Sequence, residues 1–79
     1  MKFLKSTDVL ALTAKGRSSL HNDIKSGLFP TSIKIGPRAV AWPLNEVEEI
    51  NLARVKGLSD SDIRKLVNRL HASRKNGGV

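Results

Sequence analysis

Hydrophobic positions along this chain fall into short patterned stretches punctuated by glycine and proline. Val9, Leu10 and Leu12 supply the buried side of a first short helix beginning near Asp8. Ser6 or Thr7 can cap its free N–H groups, and the Asp8 charge suits the positive end of the helix dipole. Ala14-Lys15-Gly16 interrupts the pattern, with Gly16 free to take backbone angles that other residues resist. Leu20 and Ile24, four apart, share one face of a second helix from about Arg17 to Ser26. Gly27 marks its C-terminal stop, and Phe29-Pro30 prevents its continuation. Helix, tight glycine turn, helix is the layout of a helix-turn-helix.

The period then changes to two. Ile33 and Ile35 alternate with Lys34, and Val40 and Trp42 alternate with Ala41. The alternation predicts a β-hairpin over 33–42 whose two apolar pairs cover the core from one face, with Lys34 and Ala41 on the other. Gly36-Pro37 supplies the turn and Arg38 its tip. Pro43 or Asn45 opens a third helix, with Glu46, Glu48 and Glu49 near its positive end. Val47, Ile50 and the Arg54 stem face inward, and Gly57 closes it. Ser59 with Asp62 approximates a capping box for a fourth helix, Asp60 to about Ala72. Ile63, Leu66, Val67 and Leu70 form its apolar stripe at i, i+3, i+4 and i+7. Packing of that stripe on the chain's own core is expected over a dimer seam.

At 79 residues one core fits and two do not, so residues 1–72 are expected to form a single domain. Ser73 to Val79 has the composition of a basic flexible tail. With only Phe3, Phe29 and Trp42 as aromatics, the core must be largely aliphatic.

Charge narrows the function classes. Fourteen Lys and Arg against seven Asp and Glu give a net charge of +7. Such an excess favours nucleic acid or another anionic surface as partner, with charge as a mere solubility device the bland alternative. The absence of cysteine excludes a disulfide scaffold, a thiolate metal site and a Cys nucleophile. His21 and His71 stand fifty residues apart, which leaves nothing for a zinc site. The opening stretch, Met1 to Leu12, lacks the unbroken apolar core of a signal peptide, and no run approaches the roughly 20 residues of a membrane span. A cytosolic protein without cofactor or metal is expected.

Catalysis finds little support. The glutamates of the third helix are explained by its dipole. Ser18 and Ser19 near His21 have no third group to orient a nucleophile–base pair. The second helix offers a different chemistry. Ser18, Asn22 and Lys25 form a polar face opposite Leu20 and Ile24, with His21 at its margin and Arg17 at the entrance. Asn bridges the N6 and N7 atoms of adenine, while Ser and Lys serve bases or phosphates. A solvated helix face is the bland alternative. Lys34 and Arg38, pointing outward on the following hairpin, favour the DNA reading. Trp42 is expected in the core, not stacked on bases.

In this order the elements resemble the AlpA family of phage-type regulators. The resemblance rests on Phe3-Leu4, Val9-Leu10-Ala11-Leu12-Thr13, Arg17-Ser18-Ser19-Leu20, Ile24-Lys25-Ser26-Gly27, Phe29-Pro30, Ile35 to Trp42, and Glu46-Val47. It covers roughly residues 3–52 and is similar to MerR-like winged helix-turn-helix domains and small excisionases. It implies a recognition helix at 17–26 and a wing at 33–42. The chain departs from the family pattern with Gly16 where a Ser cap is usual, His21 where an aromatic is frequent, and Asp23 where relatives tend to be basic.

The expected fold is therefore mostly α with a small β-hairpin, a winged helix-turn-helix. Its expected function is sequence-specific DNA binding that regulates transcription for a prophage or mobile element. The DNA-binding set is Arg17, Ser18, Ser19, His21, Asn22, Lys25, Lys34 and Arg38. Duplex DNA is the expected partner, integrase or RNA polymerase candidate protein partners, and a monomer or weak homodimer the expected state. An excisionase-like factor that bends DNA for an integrase is the near alternative. A protein-interaction module using the fourth-helix stripe is the alternative of another class.

Overall fold

In the computed structural model, residues 2–75 are described. The chain runs β1 (Phe3–Leu4), α1 (Ser6–Thr13), α2 (Arg17–Lys25), β2 (Ile33–Gly36), β3 (Ala39–Pro43), α3 (Leu44–Val55) and α4 (Asp60–Lys75). This is a winged helix-turn-helix, mostly helical with a small antiparallel sheet of order β1-β3-β2. The two-residue strand β1, too short to register as a period, pairs Leu4 with Trp42 and places β3 at the centre.

Helix α1 starts two residues before the expected Asp8. The backbone N–H of Lys5, its extended N-cap, donates to the Asp8 carboxylate at 3.4 Å. Val9 is buried and Leu10 partly so, but Leu12 is half exposed. Its carbonyl accepts a hydrogen bond from Asn51 Nδ2 of α3 at 3.0 Å. The turn to α2 also differs from expectation. Ala14, not Gly16, takes the left-handed conformation, with φ 56°, while Gly16 is extended and caps α2. A Cβ in that region costs roughly 1–2 kcal/mol. Gly27 and Gly57 do adopt positive φ, at 78° and 75°, and terminate α2 and α3 as read.

The hairpin forms with Pro37 and Arg38 as its turn, but its faces are assigned differently from the sequence reading. Gly36 pairs with Ala39, whereas Lys34 pairs with Val40 and Ile33 with Ala41, a register shift of one residue. A one-residue bulge moves every later side chain to the opposite face. Ile33 consequently shares a face with Ala41, and Lys34 shares one with Val40. Ala41 and Trp42 are buried, while Ile35 and Val40 are half exposed on the projecting part of the ribbon. They do not cover the core.

That core joins Leu4, Val9, Leu20, Phe29, Trp42, Val47, Ile50 and Ala53 to Ile63, Leu66 and Val67 of α4, with Leu70 packed at its edge. The α4 stripe is thus covered by the chain itself, which removes the surface that the interaction-module alternative needed. Ser59 Oγ accepts the Asp62 N–H at 3.2 Å, as the capping pattern predicts. Arg54 does not lay its stem inward; it is exposed and faces Asp60 at 3.7 Å. Helix α4 continues three residues past Ala72, through Ser73, Arg74 and Lys75. Those three positions are therefore not tail, and the rest of the segment, 76–79, lies outside the described residues.

Candidate nucleic-acid interface

Helix α2 buries Leu20 and partly buries Ile24, which turns its opposite side to solvent. Arg17, Ser18, Ser19, His21, Asn22 and Lys25 are all exposed. At about 100° per residue, Ser18, Asn22 and Lys25 fall within an arc of about 60° on the side away from the buried face. Ser19 lies on one flank. Arg17 and His21 lie on the other, where with Ser18 they line a cleft of about 410 Å³ shared with Leu10 and Trp42. That cleft separates the helix from the base of the hairpin. Gly16 supplies no side-chain cap for the first N–H groups of α2 at its positive end.

Asp23 is turned away from this face. Its carboxylate meets Lys15 Nζ at 2.8 Å in the turn between α1 and α2. On the hairpin, Lys34 and Arg38 are exposed, Arg38 in the turn itself. Among the described residues, Arg17, Lys25, Lys34 and Arg38 have no acidic partner at ion-pair distance. The structure thus places all eight candidate residues at the surface, six on α2 and two on the wing. Their arrangement presents short polar groups and unpaired cations suited to base edges and phosphates.

Sequence reasoning missed the residues that hold these elements in place. Segment 26–32, between α2 and β2, has no regular structure, so its backbone groups need other partners. Arg64 Nε donates to the Ser26 carbonyl at 2.9 Å, and Trp42 Nε1 donates to the Pro30 carbonyl at 2.9 Å. The Thr31 N–H donates to His71 Nε2 at 3.1 Å, and Arg74 Nη2 donates to the Thr31 carbonyl at 2.8 Å. Arg74 also forks onto Glu46, with Nε 2.8 Å from Oε2. Glu46 is 2 % exposed, so it is a buried ion-pair partner and not the simple dipole charge that the sequence suggested. Glu48 and Glu49 are exposed, in keeping with that simpler reading. Arg64, His71 and Arg74, at i, i+7 and i+10, lie along one side of α4. That spacing was the available signal.

The His71 imidazole has a pKa below its ordinary value. Burial disfavours the charged ring, the Arg74 guanidinium opposes it further, and Lys75 adds to this, against a partial counter-effect from Glu46. The neutral ring leaves Nε2 free to accept the Thr31 N–H.

An exposed polar helix face and a cationic hairpin are both carried on a small winged helix-turn-helix domain. Residues 2–55 match the family described as "Prophage CP4-57 regulatory protein (AlpA)". The chain belongs to this family of prophage regulatory proteins. It is also similar to a protein of Enterobacteria phage P4 described as "Uncharacterized protein ORF88", with 32 % identity over 56 residues. That alignment covers 71 % of this chain, and the chain spans 64 % of the length of the phage protein. No solved structure matches. Helix α4 lies beyond the family-matched residues.

Proposed function

We propose that this chain is a sequence-specific, duplex-DNA-binding regulator of a prophage or related mobile element. Helix α2 enters the major groove, and the β2–β3 hairpin lies on the backbone or in the adjacent minor groove. The observation that carries this reading is the exposure of Arg17, Ser18, Asn22 and Lys25 on α2 together with that of Lys34 and Arg38 on the wing. Family membership supports the regulatory role. In this reading Asn22 addresses base edges, Lys25 meets phosphate or guanine, Arg17 and Arg38 meet phosphates, and Ser18 sits near the backbone.

Footprinting on DNA flanking the gene, with and without the cognate integrase, tests it. Protection of a promoter supports the regulator. Protection confined to attachment-site arms replaces this reading with the excisionase-like one, and no protection of any duplex at low salt removes the DNA reading altogether.

A further inference from the structure

Helix α2 and the wing have no extensive packing against each other. The well-packed element pairs are β2–β3, β1–β3, α3–α4, α1–α3, α1–β3, α3–β3 and α1–β1. A two-part reader of DNA needs its parts held at a fixed separation, because groove and backbone contacts must be in phase along the duplex. Both are seated on the shared core through Leu20 and Trp42, and a further tie between them runs through the connecting segment.

Side chains of α4 reach both ends of that segment. Arg64 holds the Ser26 carbonyl just past the last residue of α2, and a Cβ on Gly27 would meet the Arg64 side chain at 3.6 Å. Two turns on, His71 takes the Thr31 N–H and Arg74 the Thr31 carbonyl, two residues before β2 begins. Arg74 is oriented by Glu46, which is nearly fully buried on α3, the helix that follows β3 directly. One rigid helix therefore grips the exit of α2 and the entry to the wing. Between these grips the segment is pinned to the core by buried Phe29 and Pro30, and by Trp42 on the Pro30 carbonyl.

We infer that Arg64, His71 and Arg74 of α4, with Glu46, are positioning residues that set the wing against the reading helix, so that DNA affinity depends on a helix touching none of the proposed DNA contacts. This inference rests on the DNA-binding reading above. It goes beyond that reading by giving α4, which lies outside the family-matched region, a share in DNA recognition.

A binding cycle tests it. The probe is a duplex enriched by the wild-type chain from a randomised library, with a scrambled duplex of the same composition as control. Arg38→Ala is expected to weaken wild-type binding to the enriched duplex about fivefold. The same change is then made in the double variant Glu46→Leu/Arg74→Met. That variant removes the Arg74 half of the grip on Thr31, leaving the His71 half, without stranding a buried charge, and such apolar replacement is often neutral for stability. With the wing no longer in phase, Arg38→Ala should now cost less than about twofold. Arg64→Gln, at an exposed position, provides a second background should the double variant fail to fold, with the same reduced effect expected.

If Arg38→Ala costs the full amount in folded backgrounds, as judged by circular dichroism and thermal melting, α4 serves stability alone and the inference falls. If the wild-type chain shifts no duplex, the DNA reading itself has failed. These two failures are distinguished by the wild-type measurement.

Discussion

The indole N–H of Trp42 donates to the Pro30 carbonyl at 2.9 Å inside the core, tying the central strand β3 to the segment that leaves α2. Trp42 thus acts as a core side chain with one polar anchor, which accounts for its burial beside an otherwise aliphatic set. Trp42→Phe keeps most of the aromatic packing but leaves the buried carbonyl of Pro30 without its donor. The expected loss is about 1–3 kcal/mol of unfolding free energy, read from denaturant titration. A variant as stable as wild type would show that the carbonyl finds water or another donor.

Salt dependence follows from the unpaired cations of α2 and the wing. If these four meet phosphates, log affinity should fall with log salt at a slope of roughly −3 to −4. Arg38→Ala should lower affinity by about 1 kcal/mol on every duplex alike and make the slope shallower. Fluorescence anisotropy over a salt series measures both. An affinity indifferent to salt would contradict phosphate contacts.

Reading and holding should separate along α2. Asn22→Ala is expected to cost roughly 1–3 kcal/mol on the preferred sequence and little on scrambled DNA. Lys25→Ala should weaken both, with Ser18→Ala resembling it. Competition binding with the two duplexes resolves the three variants. Equal losses for Asn22→Ala on both duplexes would move specificity to the wing or to DNA shape.

Glu46 and Arg74 form a pair whose side chains are only 3 % and 17 % exposed. Arg74→Ala strands the Glu46 carboxylate in the core and should cost about 3 kcal/mol, the lower end for a broken buried pair because Arg74 keeps some solvent contact. That is a large share of the stability expected for a domain of this size. Thermal and urea unfolding give the value. A loss below about 1 kcal/mol would mean that the pair behaves as a surface ion pair.

His71 makes stability depend on pH in a definite direction. Its folded pKa is depressed by burial, then by Arg74 and Lys75, with Glu46 acting the other way. The unfolded chain therefore takes up the proton first as pH falls. The contribution of His71 is complete above the ordinary histidine pKa of about 6.5 and is lost progressively below it, toward the folded value. Protonation also takes the Nε2 lone pair that accepts the Thr31 N–H. His71→Gln, which keeps an acceptor without a titrating ring, should flatten the stability profile between neutral and mildly acidic pH. His21→Gln, at an exposed position of α2, serves as the control. An unchanged profile in His71→Gln would assign the dependence to another group.

Much of this protein is decided locally. The helical periods, the glycine stops at 27 and 57, the Ser59 cap and the Leu20–Ile24 face depend on neighbours within a few residues, so the order of elements after β1 and the exposed face of α2 were legible in the sequence. The faces of the wing were not, because a single-residue bulge between Lys34 and Gly36 moves Ile33 opposite Ala41, and alternation alone contains no information on register. Nor was Ala14 in place of Gly16 as the left-handed residue, where it caps α1 with its N–H on the Leu10 carbonyl. Glu46 and Arg74, 28 residues apart, looked like a dipole charge and part of a basic tail. Only the folding of α4 across α3 brings them together. Interactions within a turn follow from adjacent residues, whereas register, buried ion pairs and side-chain grips on a distant backbone exist only once separate elements have met.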